Sequence, residues 1–128
     1  INYMPDRTLA SQLEEFANNK LRLLKSERLR DLSKIMVAEC IYSPELTAEA
    51  MQQFSEQEQG LDAWIAAAVT DGRLKKVDPS YASEQFLGLI KASAFWPQLL
   101  MGKPTPDDAQ CKQISEDAVA MFLNHYEI

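Results

Sequence analysis

Few residues of this sequence could do chemistry. They are two cysteines, Cys40 and Cys111, a single histidine, His125, and carboxylates in runs such as Glu56/Glu58 and Asp107/Asp108. One histidine cannot build a multi-histidine metal site, and neither CxxC nor HExxH occurs. The four glycines stand at 60, 72, 88 and 102, too far apart for a phosphate-cradling loop, and there is no GxSxG elbow. Carboxylate runs of this kind read as solvated faces or helix starts. His125 falls in a last helical turn, where an imidazolium favours the negative end of the helix dipole. Cys40 sits in an apolar stretch and reads as core, since a reactive thiolate needs an electropositive setting. No catalytic residue, metal site or cofactor is expected. An enzyme of helical class would rest on acidic residues near apolar ones and nothing else.

A cluster of Lys20, Arg22, Lys25, Arg28, Arg30 and Lys34 is interleaved with Glu27 and Asp31. It reads as a solvated turn between helices, or as a surface facing a nucleic-acid-binding head. Over the whole chain the balance is acidic, with 13 basic and 19 acidic side chains and a net charge of −6. The charge is uneven: residues 1–42 carry a net +1 and residues 43–128 a net −7. Such a chain is a poor partner for nucleic acid or an anionic membrane surface. No apolar run approaches the roughly 18 residues that a membrane span needs. The two cysteines could form one bridge, but nothing else suggests a secreted scaffold. They are read as reduced thiols in a cytoplasmic protein. The chain opens on Ile1 without a signal-like segment and is expected to be part of something longer.

The elements that must position these residues are helices. At 128 residues and 46% hydrophobic composition, one domain with its own core is expected over 1–128. The apolar period is helical throughout, predicting an all-α bundle of about five helices. Helix one is expected over 7–25, with Leu9, Leu13, Phe16, Ala17, Leu21 and Leu24 as its stripe. Helix two is expected over 28–42 and is apolar nearly all round, which predicts a central position. Helix three is expected over 44–71, bent or broken near Ser55 to Gly60. Helix four is expected over 79–96, where Pro97 stops or kinks it. Helix five is expected over 106–125. Ser43-Pro44, Asp78-Pro79 and Thr105-Pro106 read as cap-then-proline starts, and Gly72 and Gly102 as stops.

The last two helices own more apolar surface than one core needs. Cys111, Ile114, Ala118, Met121 and His125 step by three and four, the spacing of a packing seam. Ser115, Val119, Phe122 and Tyr126 form a second stripe beside it. One stripe can pack on the chain's own core and leave the other free. On helix four, Ala82, Phe86, Leu89 and Ser93 make one face, while Leu87, Gly88, Lys91, Ala94 and Phe95 spread elsewhere. Gly88 costs a helix interior about 1 kcal/mol relative to Ala, which the close approach of another helix would explain.

The sequence resembles the C-terminal regulatory domain of the TetR family of bacterial transcription regulators, most closely its AefR-like branch. The residues that carry the likeness run Arg28-Leu29-Arg30-Asp31-Leu32, Val37-Ala38-Glu39 and Ser43-Pro44-Glu45-Leu46. They continue through Trp64-Ile65-Ala66-Ala67-Ala68, Asp71-Gly72-Arg73-Leu74 and Asp78-Pro79-Ser80-Tyr81-Ala82. They end in Phe86-Leu87-Gly88-Leu89 and Val119-Ala120-Met121-Phe122-Leu123-Asn124-His125-Tyr126. The departure is the missing N-terminal head, whose helix-turn-helix enters the major groove, so DNA is expected as a partner only through that head. The resemblance implies a homodimer in which the last two helices pack as a four-helix arrangement. The residues expected at that interface are Leu87, Gly88, Lys91, Cys111, Ile114, Ala118, Met121 and His125. It also implies an apolar cavity that binds a small apolar effector and thereby alters DNA binding. Candidate lining residues are Phe16, Met36, Cys40, Phe54, Trp64, Phe86 and Phe95, each of which could equally be plain core. The other reading is a helical protein–protein interaction module with no small-molecule site.

Overall fold

The computed structural model describes residues 1–43, 45 and 60–128. Among them the architecture is all-helical. Helix α1 is Leu9–Leu24 and α2 is Glu27–Tyr42. Residues 60–70 are helical and are labelled α3. Then come α4 (Pro79–Ala94), the short α5 (Trp96–Met101) and α6 (Asp108–Tyr126). A lone antiparallel bridge joins Leu74 to Glu127.

Local chemistry fixes the ends. Thr8 caps α1 by accepting from the Ser11 amide, and Ser26 caps α2 by accepting from Leu29. Asp78 caps α4 with Pro79 in its first turn, as expected from the sequence. α6 starts later than expected. Asp107 rather than Thr105 is its cap, and a reciprocal pair of hydrogen bonds with Gln110 closes a capping box. Ser43 closes α2, its amide donating to Glu39 O, and the helix start expected after it falls on residues outside the described ones, apart from Glu45, which is helical. Pro44, Phe54 and the expected bend from Ser55 lie outside the described residues. Gly72 (φ 75°) closes α3: its amide donates to Val69 and that of Arg73 to Ala68, the paired bonds of a left-handed stop. Gly102 (φ 64°) ends α5 in the same conformation. Pro97 does stop α4, which ends at Ala94. It also opens α5, because proline lacks only an amide that a first turn leaves unbonded.

The core lies between α1, α3, α4 and α6. Leu9, Leu13, Ala17, Leu21 and Leu24 line one face of α1 at steps of four and three. They meet Leu61, Trp64, Ile65 and Ala68 of α3, Ala82, Phe86, Leu87 and Ile90 of α4, and Val119, Phe122 and Leu123 of α6. Phe86 stands at the centre, with Phe16 on one side (ring centroids 6.2 Å) and Phe122 on the other (5.3 Å).

Helix α2 is not central. Its only buried residue is Ser33, while Ile35 is 63% and Ile41 70% exposed. The other four long helices fill the middle among themselves, so α2 is left lying against α1 and α5 at the edge. An apolar circumference therefore did not mean burial here.

Candidate functional site

The surplus apolar surface of the last helices forms an open face. α6 commits Ser115, Val119, Phe122 and Tyr126 to the core, together with Ala118 and Leu123. That leaves Met121 (58% exposed) and His125 facing outward beside α4. On α4 the outward residues are Tyr81, Gln85, Gly88 and Ala92, with Leu89 half-buried among them. Two grooves run along this face. One, of about 660 Å³, lies between the end of α4, α5 and the first half of α6, with Ala92, Pro97, Met101, Ile114 and Asp117 in its walls. The other, of about 400 Å³, is walled by Gln85, Gly88, Phe122, His125 and Tyr126. Leu89 and Met121 line both.

The expected interface residues divide accordingly. Gly88, Met121 and His125 are exposed on this face, and Lys91, Cys111 and Ile114 are half-buried. Leu87 and Ala118 are buried against the chain's own core, with Ala118 also at the wall of the first groove. Gly88 is also instructive. Among the described residues, a side-chain carbon added there would meet nothing within 4 Å, so no described neighbouring helix explains a glycine. Tyr126 closes the second groove, its hydroxyl donating to Oε1 of Gln85. Burial, and then the neighbouring Tyr81, push the Tyr126 hydroxyl above its ordinary pKa of 10.0.

The candidate effector residues do not surround one described cavity. Phe16 and Phe86 meet each other. Trp64 lies apart, edge-on to Tyr3 (5.9 Å). Phe95 packs against Trp96 (4.8 Å), with the Lys91 ammonium 5.7 Å from its ring centre. Met36 and Cys40 sit half-buried on α2, and Phe54 falls outside the described residues. Phe16 also lines a cleft of about 370 Å³ with Ile1, Met4, Gln12 and Asn19.

In the basic cluster, Lys25 reaches Asp108 at the start of α6 (3.1 Å). Its hydrogen bond to Asp108, and then the proximity of Cys111, raise the lysine pKa. Cys111 lies in the first turns of α6 with its thiol 3.7 Å from the Pro106 carbonyl oxygen.

A polar junction ahead of α1 was not foreseen. Gln12 is buried, and its Oε1 accepts from the Met4 amide (2.8 Å) and from the Trp64 indole (2.9 Å). Its Nε2 donates to the carbonyls of Met4, Arg7 and Thr8. Arg73 faces the same segment, donating to the Tyr3 hydroxyl, Pro5 O and Arg7 O. Tyr3 in turn donates to Asp71 (2.6 Å). The one sequence signal was Gln12 itself, a polar residue at the third position after Leu9 on the apolar stripe.

Residues 11–128 match the family model described as the AefR-like transcriptional repressor, C-terminal domain. A TetR-family transcriptional regulator from Pseudomonas syringae pv. tomato has the same fold over 98% of this chain, with 37% identity and a TM-score of 0.90. The chain belongs to the TetR family. Two more distant structures share the fold of this TetR-family domain. A candidate TetR-family regulator from Mesorhizobium loti is 17% identical over 97% of the chain, with a TM-score of 0.83. A TetR transcriptional regulator from Agrobacterium tumefaciens is 24% identical over 100%, with a TM-score of 0.74. The chain spans 66%, 62% and 66% of these three proteins, just under two thirds in each case. Among curated proteins no match was found.

Proposed function

We propose that this TetR-family domain dimerises through the α4–α6 face and that a small apolar effector, bound among its helices, alters DNA binding by the head that such regulators carry ahead of it. The observation that carries the reading is the outward face of Gly88, Leu89, Ala92 and Met121, which is apolar or small and bordered by Asp117 and His125. An isologous pair would cover that face on both copies at once. Gly88 would let two helix backbones come close. Within this reading Phe16, Met36, Cys40, Phe54, Trp64, Phe86 and Phe95 remain the residues proposed for the effector, with no catalysis and a cytoplasmic location. An effector can shift the DNA-binding equilibrium only by its difference in affinity between the two states. Sedimentation equilibrium tests the first half: a strict monomer at high concentration removes the dimer. Calorimetric titration with apolar ligands of graded size tests the second.

One observation favours a second reading, a dimerisation or interaction module with no small-molecule ligand. Trp64, Phe86 and Phe95 each already fill their surroundings with side chains of this chain. Titrations without heat across the ligand series, beside a stable dimer, would select it.

A further inference from the structure

Residues 3–7, which lead into α1, are bound along their length. The Arg73 guanidinium supplies donors to three of them: Nη1 to the Tyr3 hydroxyl (3.2 Å) and to Pro5 O (3.3 Å), and Nη2 to Arg7 O (2.9 Å). Gln12 holds the same stretch from α1, through Met4 N, Met4 O and Arg7 O. Arg73 is also attached on its other side. Its carbonyl accepts from the Ile128 amide (3.2 Å), the next residue bridges to Glu127, and the Lys75 amide donates to Tyr126 O (2.8 Å). The backbone at Arg73 has little freedom of its own, because the left-handed stop at Gly72 ties the Arg73 amide to Ala68 O. One residue therefore touches both the entry to α1 and the exit of α6. A planar guanidinium fixes its donors relative to one another, so it cannot follow one acceptor without leaving the others.

We propose that Arg73 is a relay that couples the seating of residues 3–7 to the seating of the end of α6, so that releasing either loosens the other. Coupling of this kind is reciprocal. Its regulatory sense rests on the reading above, in which α6 carries the partner face and the chain ahead of α1 leads to the DNA-binding head. The coupling itself is a property of this chain alone.

Backbone hydrogen exchange on the chain tests it. Gln12→Leu frees the Met4 amide at the far side of the entry segment. The relay expects exchange at Met4, and also at Lys75 and Ile128, to quicken about tenfold, the effect of losing one buried hydrogen bond. In an Arg73→Gln background both ends start fast, and Gln12→Leu adds nothing at Ile128. If Gln12→Leu quickens Met4 and leaves Lys75 and Ile128 at the original rate, the long arginine side chain absorbs the motion and the relay is wrong. If Gln12→Leu loosens the whole chain, so that the Phe122 amide quickens equally, Tyr3→Phe decides by the same comparison. It removes only the hydroxyl that Arg73 and Asp71 share. A monomeric chain in sedimentation overturns the dimer reading while leaving the exchange result intact, so the two failures are distinguishable.

Discussion

The Trp64 indole nitrogen donates to Oε1 of Gln12 across 2.9 Å, joining α3 to α1 with both side chains buried. The same oxygen takes the Met4 amide. Removing the amide side chain therefore strands donors on two elements at once. Gln12→Leu is expected to cost about 2 kcal/mol of stability, within the usual penalty for orphaned buried donors. Urea unfolding with an unchanged slope and a lowered midpoint would check it.

Phe86 and Phe16 should differ sharply despite their contact. Phe86 is fully buried between two rings, so Phe86→Ala should cost about 3–5 kcal/mol. Phe16 is only half-buried and should cost clearly less. Thermal unfolding of the pair gives the ordering, and equal losses would contradict the central placement of Phe86.

The two conformational classes of glycine predict opposite signs. Gly72 has a φ of 75°, and Gly72→Ala should destabilise by about 1–2 kcal/mol. Gly88 is helical with open space around it, so Gly88→Ala should stabilise the isolated fold by about 0.5–1 kcal/mol. If α4 of a second copy packs there, the same change should weaken association. Unfolding and sedimentation read the two effects separately.

Leu87 and Met121 separate folding from pairing. Leu87→Ala should cost about 2–5 kcal/mol in folding, because Leu87 is core. Met121→Glu should leave stability within about 0.5 kcal/mol, as exposed changes do, and shift the chain toward monomer. A dimer unaffected by Met121→Glu would move the interface elsewhere.

At high pH the tyrosines should matter. Burial raises the pKa of Tyr126 above 10.0, so folding favours its neutral form. That contribution is whole below pH 10 and is lost as pH climbs through the raised value. Tyr126→Phe should flatten the alkaline loss of stability. Denaturant midpoints collected on either side of pH 10 would show it.

Helix type and most helix ends were legible in the sequence because their causes are local. Asp78-Pro79 and the glycine stops at 72 and 102 work through neighbouring backbone atoms. What depended on the third dimension was less legible. The apolar ring of 28–42 gave no sign that α1, α3, α4 and α6 would close without it. The seam from Cys111 to His125 was found, but not where along it the chain's own core gives way to open surface. Ala118 falls on one side and Met121 on the other. Arg73 stood in the stretch that carries the family likeness, but nothing in the sequence pointed to its partners. Its acceptors lie 66 or more residues away, two of them main-chain carbonyls that any sequence possesses.

The placement of the two indoles makes the molecule its own optical instrument. Trp64 is 1% exposed and hydrogen-bonded beside the entry to α1, whereas Trp96 is 43% exposed at the start of α5. Their emission should be separable by colour, the shielded ring toward the blue and the wet one toward the red. Each then reports its own surroundings, the entry to α1 or the start of α5, without a label being attached.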